Sequence, residues 1–317
     1  MKYLITGATG YIGSMLVHRL SESGQEVIAL VRSVEKARSM LPAKAEIMSA
    51  DLTDSKAMED VDLSFDYLIH CAAVTASAEM RNHPAEVTAS IVNATQNVLG
   101  LARRAGLRSM VYVSSMEVYG SLDCPDGHRA GEEEAGAGQV DILAARSCYP
   151  LGKRMAENIC AAYAAEYGVP VKIARLAQTF GRGVLPGDNR VFAQFARSAM
   201  KGEDIVLHTE GKSMGNYCDI DDALEGILTI LTRGQTGEAY NVVNEENTMS
   251  IRELAELSAE VLSGGRSRIV VDIPEGNLYG YAADTGLRLS GAKLQALGWH
   301  PTRNLRDMFA ALGSSLK

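Results

Sequence analysis

Apolar residues along this chain fall into short unbroken runs separated by stretches that place them at every third or fourth position. YLIT near the amino end is a strand run. Ile12, Met15, Leu16 and Leu20 follow at helical spacing to about Gly24, and EVIALV is the next strand run. The pattern returns with YLIH, a helix carrying Val87, Ile91, Ala94, Val98 and Leu101, and the run MVYVSS. A later helix from Tyr149 to Tyr167 leads into VKIARL. Strands joined by helical crossovers predict an α/β fold of Rossmann type, a doubly wound parallel sheet with helices on both faces.

After Ala174 the rhythm breaks. Gln178 to Gly215 is rich in glycine, with Pro186 and several charges, and reads as loops and short elements over a cleft, where substrate contacts are expected. A helix is expected from Asp221, then the strand EAYNVV. Ser250 and Glu253 form a capping box ahead of the helix ELAELSAEVL. The expected division is residues 1–176 with 217–246 as the Rossmann domain, and 177–216 with 247–317 as a smaller C-terminal lobe.

A chain of 317 residues, 46% hydrophobic and 22% charged, has the make-up of a globular protein. Its net charge of −8, with scattered bases, argues against a nucleic-acid partner. The five cysteines, Cys71, Cys124, Cys148, Cys160 and Cys218, form no CxxC pair and no Cys/His cluster, so no metal site and no disulfide framework is expected. No run reaches the ~18 apolar residues of a membrane span, and no charged-then-apolar leader precedes the first strand. The expectation is a cytoplasmic protein with no membrane partner.

TGATGYIG sets Gly7, Gly10 and Gly13, with Tyr11 and Ile12 among them, between the first strand and the first helix. Glycines there let the backbone turn tightly and approach a pyrophosphate at the helix N-terminus. The spacing differs from GxGxxG by one residue between the first two glycines. The second strand ends in Val31 and Arg32 rather than in an acid, and an arginine offers a charge-assisted fork to a ribose 2′-phosphate. NADP is therefore expected ahead of NAD, with Arg38 as a second contact. Asp51 and Leu52 after the third strand suit the adenine amino group. Cys71, Ala72 and Ala73 after the fourth are small enough for a cofactor to lie against the sheet.

Tyr149 and Lys153 are four apart on a predicted helix and leave the same face. A nearby ammonium and a positive nicotinamide favour the phenolate of a tyrosine whose ordinary pKa of about 10 is too high for a base. Lys153 would also hold the nicotinamide ribose. Ser115 ends MVYVSS, where its hydroxyl can donate to the substrate oxygen. The conjunction, in this order after a glycine turn, makes a hydride-transfer site.

TGATGYIG, HCAA, SSMEVYG and RSCYPLGKRMAE resemble the extended short-chain dehydrogenase/reductase family, in its nucleotide-sugar epimerase, dehydratase and decarboxylase branch. NATQNVLGLARRAG, DNRVFAQFA and GEAYNVVNEENTMSIRELAEL extend the likeness through nearly the whole chain. The resemblance implies that Ser115, Tyr149 and Lys153 are the catalytic triad and that a sugar C4 hydroxyl is oxidised to a transient ketone beside a retained cofactor. It implies a nucleotide sugar lying across the C-terminal lobe, and a homodimer formed through two helices, one of them carrying Tyr149. Glu117 matches a glutamate that suggests acid/base work at a neighbouring carbon. Met116 stands where dehydratases have aspartate, and the stretch from Arg146 through Arg190 reads most like the decarboxylases. Arg190 matches a diphosphate-binding arginine, and Gln178 and Tyr217 fall at substrate-contact positions.

Two departures bear on substrate. Gln178 replaces the family's asparagine, and Met214, Gly215 and Asn216 stand where members commonly have a diphosphate arginine; Arg182, Arg190 or Lys212 would have to compensate. The alternatives are therefore a dehydrogenase or reductase of another alcohol or ketone, releasing reduced cofactor each turnover, and a cofactor-sensing protein without turnover.

Overall fold

The computed structural model describes residues 1–59, 61, 64–185, 187–274 and 284–316. Pro186 of the glycine-rich stretch lies outside them. The chain begins β1 (Lys2–Thr6), α1 (Tyr11–Glu22), β2 (Glu26–Val31), α2 (Val34–Met40), β3 (Glu46–Ser49), α3 (Ser55–Glu59) and β4 (Tyr67–His70). It continues α4 (Ser77–Asn82), α5 (Pro84–Ala105), β5 (Ser109–Ser115), α6 (Cys148–Tyr167), β6 (Val171–Leu176), β7 (Gln178–Phe180), α7 (Val191–Lys201), β8 (Ile205–Leu207) and β9 (Met214–Asp219). Then come α8 (Ile220–Arg233), β10 (Ala239–Val242), β11 (Asn244–Ser250), α9 (Ile251–Ser263), β12 (Ile269–Val271), α10 (Ala292–Gln295) and α11 (Leu305–Ser315).

Seven of these strands form one parallel sheet in the order β10-β6-β5-β4-β1-β2-β3. The order turns outward in both directions from β1, so the C-terminal ends of β1 and β4 border the crevice in which such sheets bind ligands. Both faces are covered, which is why the strands read as continuous apolar runs: β6 is buried throughout and β5 in all but its last residue. One core packs α1 and α8 against the sheet through Leu16, Leu20, Ile227 and Ile230. The other packs α5 and α6 through Ile91, Val98, Ala156 and Cys160.

A three-stranded sheet, β11-β9-β7, and the parallel pair β12-β8 lie in the lobe with α7, α9 and α11. Phe180 stacks on Phe192 with ring centroids 4.3 Å apart and meets Phe309 at 5.2 Å. Each of these rings is fully buried, and truncating one to alanine removes about 3–5 kcal/mol.

The Ser250–Glu253 capping box forms, with Ser250 Oγ accepting from the Glu253 amide at 3.2 Å and Glu253 Oε2 accepting from the Ser250 amide at 2.7 Å. Helix α8 starts one residue earlier than the sequence pattern placed it, because the Asp219 carboxylate caps the Asp221 amide at 2.8 Å. The stretch read as loops and short elements contains the 11-residue α7, whose buried Phe192, Ala193, Phe195, Ala196 and Ala199 repeat at helical spacing. The expected boundary at residue 217 falls inside β9, which pairs with β7 and β11, whereas α8 and β10 belong with the main sheet.

Candidate functional site

At the end of β1 the chain turns at Gly7, whose φ of 67° suits glycine. A Cβ there would stand 2.6 Å from the Ala72 amide nitrogen, so the turn lies directly on the residues that follow β4. A Cβ on Gly13 would strike the Gly7 carbonyl, which fixes how closely α1 approaches the turn. Gly10 caps α1 with no side chain, and the helix has no acidic residue in its first turn. Its first amides are left facing outward, the arrangement that holds a phosphate. The cradle fits a dinucleotide pyrophosphate.

Arg32, exposed, follows the last residue of β2. Asp51 Oδ1 accepts from the Thr53 amide at 2.9 Å and hydroxyl at 2.8 Å, and these bonds, with Arg32 nearby, hold the carboxyl below its ordinary range. Leu52 is buried, its carbonyl taken by Asn97 at 2.9 Å. Cys71, Ala72 and Ala73 are partly covered and line the end of β4.

The groups expected to react meet where β5 ends and α6 begins. Tyr149 and Lys153 are 7% and 3% exposed, so neither is an ordinary surface residue of its helix. Burial and the Glu117 carboxylate push the Tyr149 phenol above its usual pKa, against the pull of a hydrogen bond from Ser115 and the charges of Arg190 and Arg146. Lys153 Nζ donates to the Val113 carbonyl at 2.8 Å and stands 4.7 Å over the Tyr112 ring. Burial pulls the ammonium down to about 8 while Glu157 holds it up. In the chain by itself desolvation and Glu117 outweigh the charges of Arg190 and Arg146, and the expected lowering of the phenol calls for the nicotinamide charge as well.

Glu117 is no free loop carboxylate. Arg146 grips it with both Nη atoms at 3.1 Å, each side chain about one-third exposed. The Glu117 amide donates to Ser115 Oγ at 3.2 Å, which seats the carboxylate over the same residue that faces Tyr149. Arg190 also reaches this region, its guanidinium 6.0 Å from the Tyr11 ring centroid, while Asp188 (2.6 Å) and the Thr179 carbonyl (3.1 Å) hold it. Gln178 opens β7 as the Cα partner of Tyr217. Tyr217 itself is not brought to the cleft: it is completely enclosed in the lobe core, edge-on to Phe180, with its hydroxyl unpartnered. That ring fills the space a side chain on Gly215 would occupy.

Sequence reasoning passed over several members of this region. Arg146 lies three residues before Tyr149 in a segment without periodicity. His70, buried beneath the site, bonds Thr6 Oγ1 at 2.6 Å and Thr95 Oγ1 at 3.3 Å. Thr95 gives its own proton to the Ile91 carbonyl, so Nε2 is the donating nitrogen of a ring that burial keeps neutral, its pKa lowered to about 3. Glu157 was signalled by its spacing, one turn beyond Lys153. Among the described residues no group of His, Cys, Asp and Glu side chains is placed to hold a metal, and no helix is long and apolar enough to cross a membrane.

The profile of the NAD dependent epimerase/dehydratase family matches residues 3–243. UDP-glucuronic acid decarboxylase 6 of Arabidopsis thaliana is 30% identical, over 97% of this chain and 86% of its own length. In fold, the chain is similar to a UDP-glucose 4-epimerase of Thermotoga maritima solved with UDP-glucose (TM-score 0.85, 23% identity, 100% and 98% of the two chains). It is similar also to a UDP-glucuronic acid 4-epimerase of Bacillus cereus in complex with UDP-glucuronic acid and NAD (TM-score 0.81, 19% identity, 100% and 99%).

Proposed function

The chain belongs to the NAD dependent epimerase/dehydratase family, whose members are enzymes, and on that premise we propose that it converts a nucleotide sugar through a transient 4-keto intermediate. The observation that carries this reading is the convergence of Ser115, Tyr149 and Lys153 beside a glycine turn that rests on Ala72. When bound, the nicotinamide takes up and returns the hydride; its positive charge would lower the phenol that burial has raised.

Tyr149 takes the proton of the sugar C4 hydroxyl, and Ser115 donates to the same oxygen and fixes its direction. Lys153 supplies positive charge beneath the tyrosine and a donor for the ribose. Gly7, Gly10, Tyr11, Ile12 and Gly13 cradle the pyrophosphate, Asp51 and Leu52 border the adenine, and Cys71, Ala72 and Ala73 form the floor. Glu117, steered by Arg146, takes a proton from the carbon next to the ketone as hydroxide leaves the following carbon in a dehydration, or returns one there as carbon dioxide leaves in a decarboxylation; C4 epimerisation needs neither, only return of the hydride to the opposite face. Gln178 and Arg190 take the sugar nucleotide. The family's dinucleotide is NAD, and Arg32 supports acceptance of NADP as well. The smaller lobe is the substrate-binding part, and the α5 and α6 faces, with Met155 exposed on α6, support a homodimer that gel filtration tests.

The test is turnover of UDP- and dTDP-sugars followed by mass spectrometry. A product of unchanged, dehydrated or decarboxylated mass, lost in Tyr149→Phe, supports the reading. One observation favours a second: Met214, partly exposed on β9, stands where members commonly have a diphosphate arginine and brings no charge. A dehydrogenase of a smaller alcohol or ketone would bind cofactor, ignore nucleotide sugars and release reduced cofactor.

A further inference from the structure

Three consecutive residues of β5 meet three successive turns of α6. Ser115 faces Tyr149, the Val113 carbonyl holds Lys153, and Ser114 Oγ donates to Glu157 Oε1 at 2.6 Å. The first two pairs belong to the site already described, and the third has no part in it. Glu157 is buried, one helical turn beyond Lys153 on the same face.

Arg175 clamps Glu157 from β6. Its Nε donates to both carboxylate oxygens at 3.1 Å and its Nη2 to Oε2 at 2.8 Å. Arg175 is the Cα partner of Ser114 in the sheet, so carboxylate, hydroxyl and guanidinium are fixed by the same strand pairing. Its Nη1 is anchored in turn on the Glu132 carbonyl at 2.7 Å and the Tyr119 hydroxyl at 3.3 Å, and Tyr119 donates to Asn241 at 2.9 Å. The carboxylate cannot swing away. A cavity of about 390 Å³, lined by Arg154, Glu157, Asn158 and Arg175, opens behind the pair and away from Tyr149.

A buried ion pair adds little net stability compared with apolar residues of the same shape, so stability alone is a weak reason for this one. Among the described residues, the titratable groups that face Lys153 are His70 at the end of β4, Cys71 just after it, Tyr112 from β5, and Tyr149, Glu157 and Cys160 from α6. Burial keeps His70 uncharged and raises Cys71, Cys160, Tyr112 and Tyr149, so these five stay neutral near pH 7. Glu157 is the one carboxylate of the set.

We propose that Glu157 is a positioning residue: clamped by Ser114 and Arg175, its carboxylate is the fixed counter-charge that keeps Lys153 an ammonium against the Val113 carbonyl and beside Tyr149. The inference rests on Ser115, Tyr149 and Lys153 being the reacting groups. Electrostatics agree in direction, since Glu157 is the largest influence opposing the burial of Lys153.

Glu157→Gln keeps the shape and an acceptor for Ser114 and removes the charge. Protein labelled with ¹³C and ¹⁵N at lysine, with the Lys153 signal identified by its loss in Lys153→Met, is titrated by NMR without cofactor or substrate. The expected midpoint for Lys153 falls by about one unit or more in Glu157→Gln, a tenfold smaller ammonium fraction above the midpoint. Glu157→Asp recovers part of the shift, and the high-pH limb of the pH–rate profile moves down in parallel. Because Glu157→Gln strands a buried Arg175, the double variant Glu157→Gln/Arg175→Met removes both charges and keeps the test open if the single variant does not fold; its midpoint also lies below that of the parent. An unmoved Lys153 midpoint, or a loss of kcat with no movement of the pH profile, overturns the inference. Tyr149→Phe separates the two claims. Turnover that survives it overturns the site reading, whereas turnover abolished by it with Lys153 unmoved in Glu157→Gln overturns the role of Glu157 alone.

Discussion

Lys153 Nζ donates to the Val113 carbonyl at 2.8 Å and stands 5.9 Å from the Tyr149 ring centroid. The ammonium is thus held by the sheet rather than by the tyrosine. Lys153→Met is expected to lower kcat by at least about 100-fold, the scale of a lost proton-transfer partner. It should also stabilise the protein. The folded pKa is depressed from 10.5 to about 8, so the charged lysine weakens the fold at pH 7 by up to about 3 kcal/mol, and that penalty fades as pH rises from 8 through 10.5. Denaturant melts of parent and variant at pH 7 and pH 10 check the sign: the gain should be larger at pH 7.

Glu117 and Arg146 form a two-bonded pair at the edge of the site. In Glu117→Gln the first half-reaction should persist, seen as reduced-cofactor absorbance when substrate is added, while formation of a dehydrated or decarboxylated product falls at least about 100-fold. Loss of both steps together would show that the pair only shapes the pocket.

Arg32 follows β2 with its side chain in solvent. Removing its fork, as in Arg32→Asp, is expected to weaken NADP binding by about 1.5–3 kcal/mol, roughly 10- to 100-fold, with NAD affinity unchanged or improved. Calorimetric titration of both cofactors measures this, and equal losses for the two would assign Arg32 no role in the choice.

Gly215 has no room for a side chain because Tyr217 folds over it. Gly215→Ala is expected to destabilise by about 1–3 kcal/mol, the range for overpacking a core. Gly215→Arg should not gain affinity for UDP, since the arginine cannot enter while Tyr217 holds the space. Urea melts and titration with UDP test the two halves.

Asp219 is 1% exposed, and burial lifts its carboxyl from 3.8 to about 6. A folded pKa above the unfolded one means that its protonated form favours the fold below pH 4 and that this benefit is lost as pH rises through 6. Asparagine caps a helix as well as aspartate does, so Asp219→Asn keeps α8 capped. The variant should be more stable than the parent at pH 7 by about 2 kcal/mol and similar at pH 4, read from thermal melts at both. A weaker variant at pH 7 would show that Arg303, 3.8 Å away, matters more than desolvation.

The local patterns carried a large part of this protein. Continuous apolar runs such as EVIALV and MVYVSS are legible because strands covered on both faces need them, and the glycines of TGATGYIG because a Cβ at Gly7 or Gly13 would strike backbone. Tyr149 and Lys153 could be paired, with Glu157 in line, because α6 repeats its face every turn. The resemblance carried by SSMEVYG and RSCYPLGKRMAE pointed to the family, which the match over residues 3–243 establishes.

What the sequence could not hold was everything set by contact across the chain. The apolar rhythm of α7 was present, yet glycines and charges around it hid the helix until Phe192 found Phe180. The high phenol of Tyr149 depends on burial and on Glu117, 32 residues away along the chain but beside it in space. Tyr217 reads as a cleft residue from its motif and is enclosed in the lobe core, because alternate positions on β9 share a face and Gly215, two residues before it, left a space to fill. Periodicity is a property of the backbone and can be read along the chain. Desolvation and ion pairing depend on which surfaces meet, and the tertiary structure alone decides that.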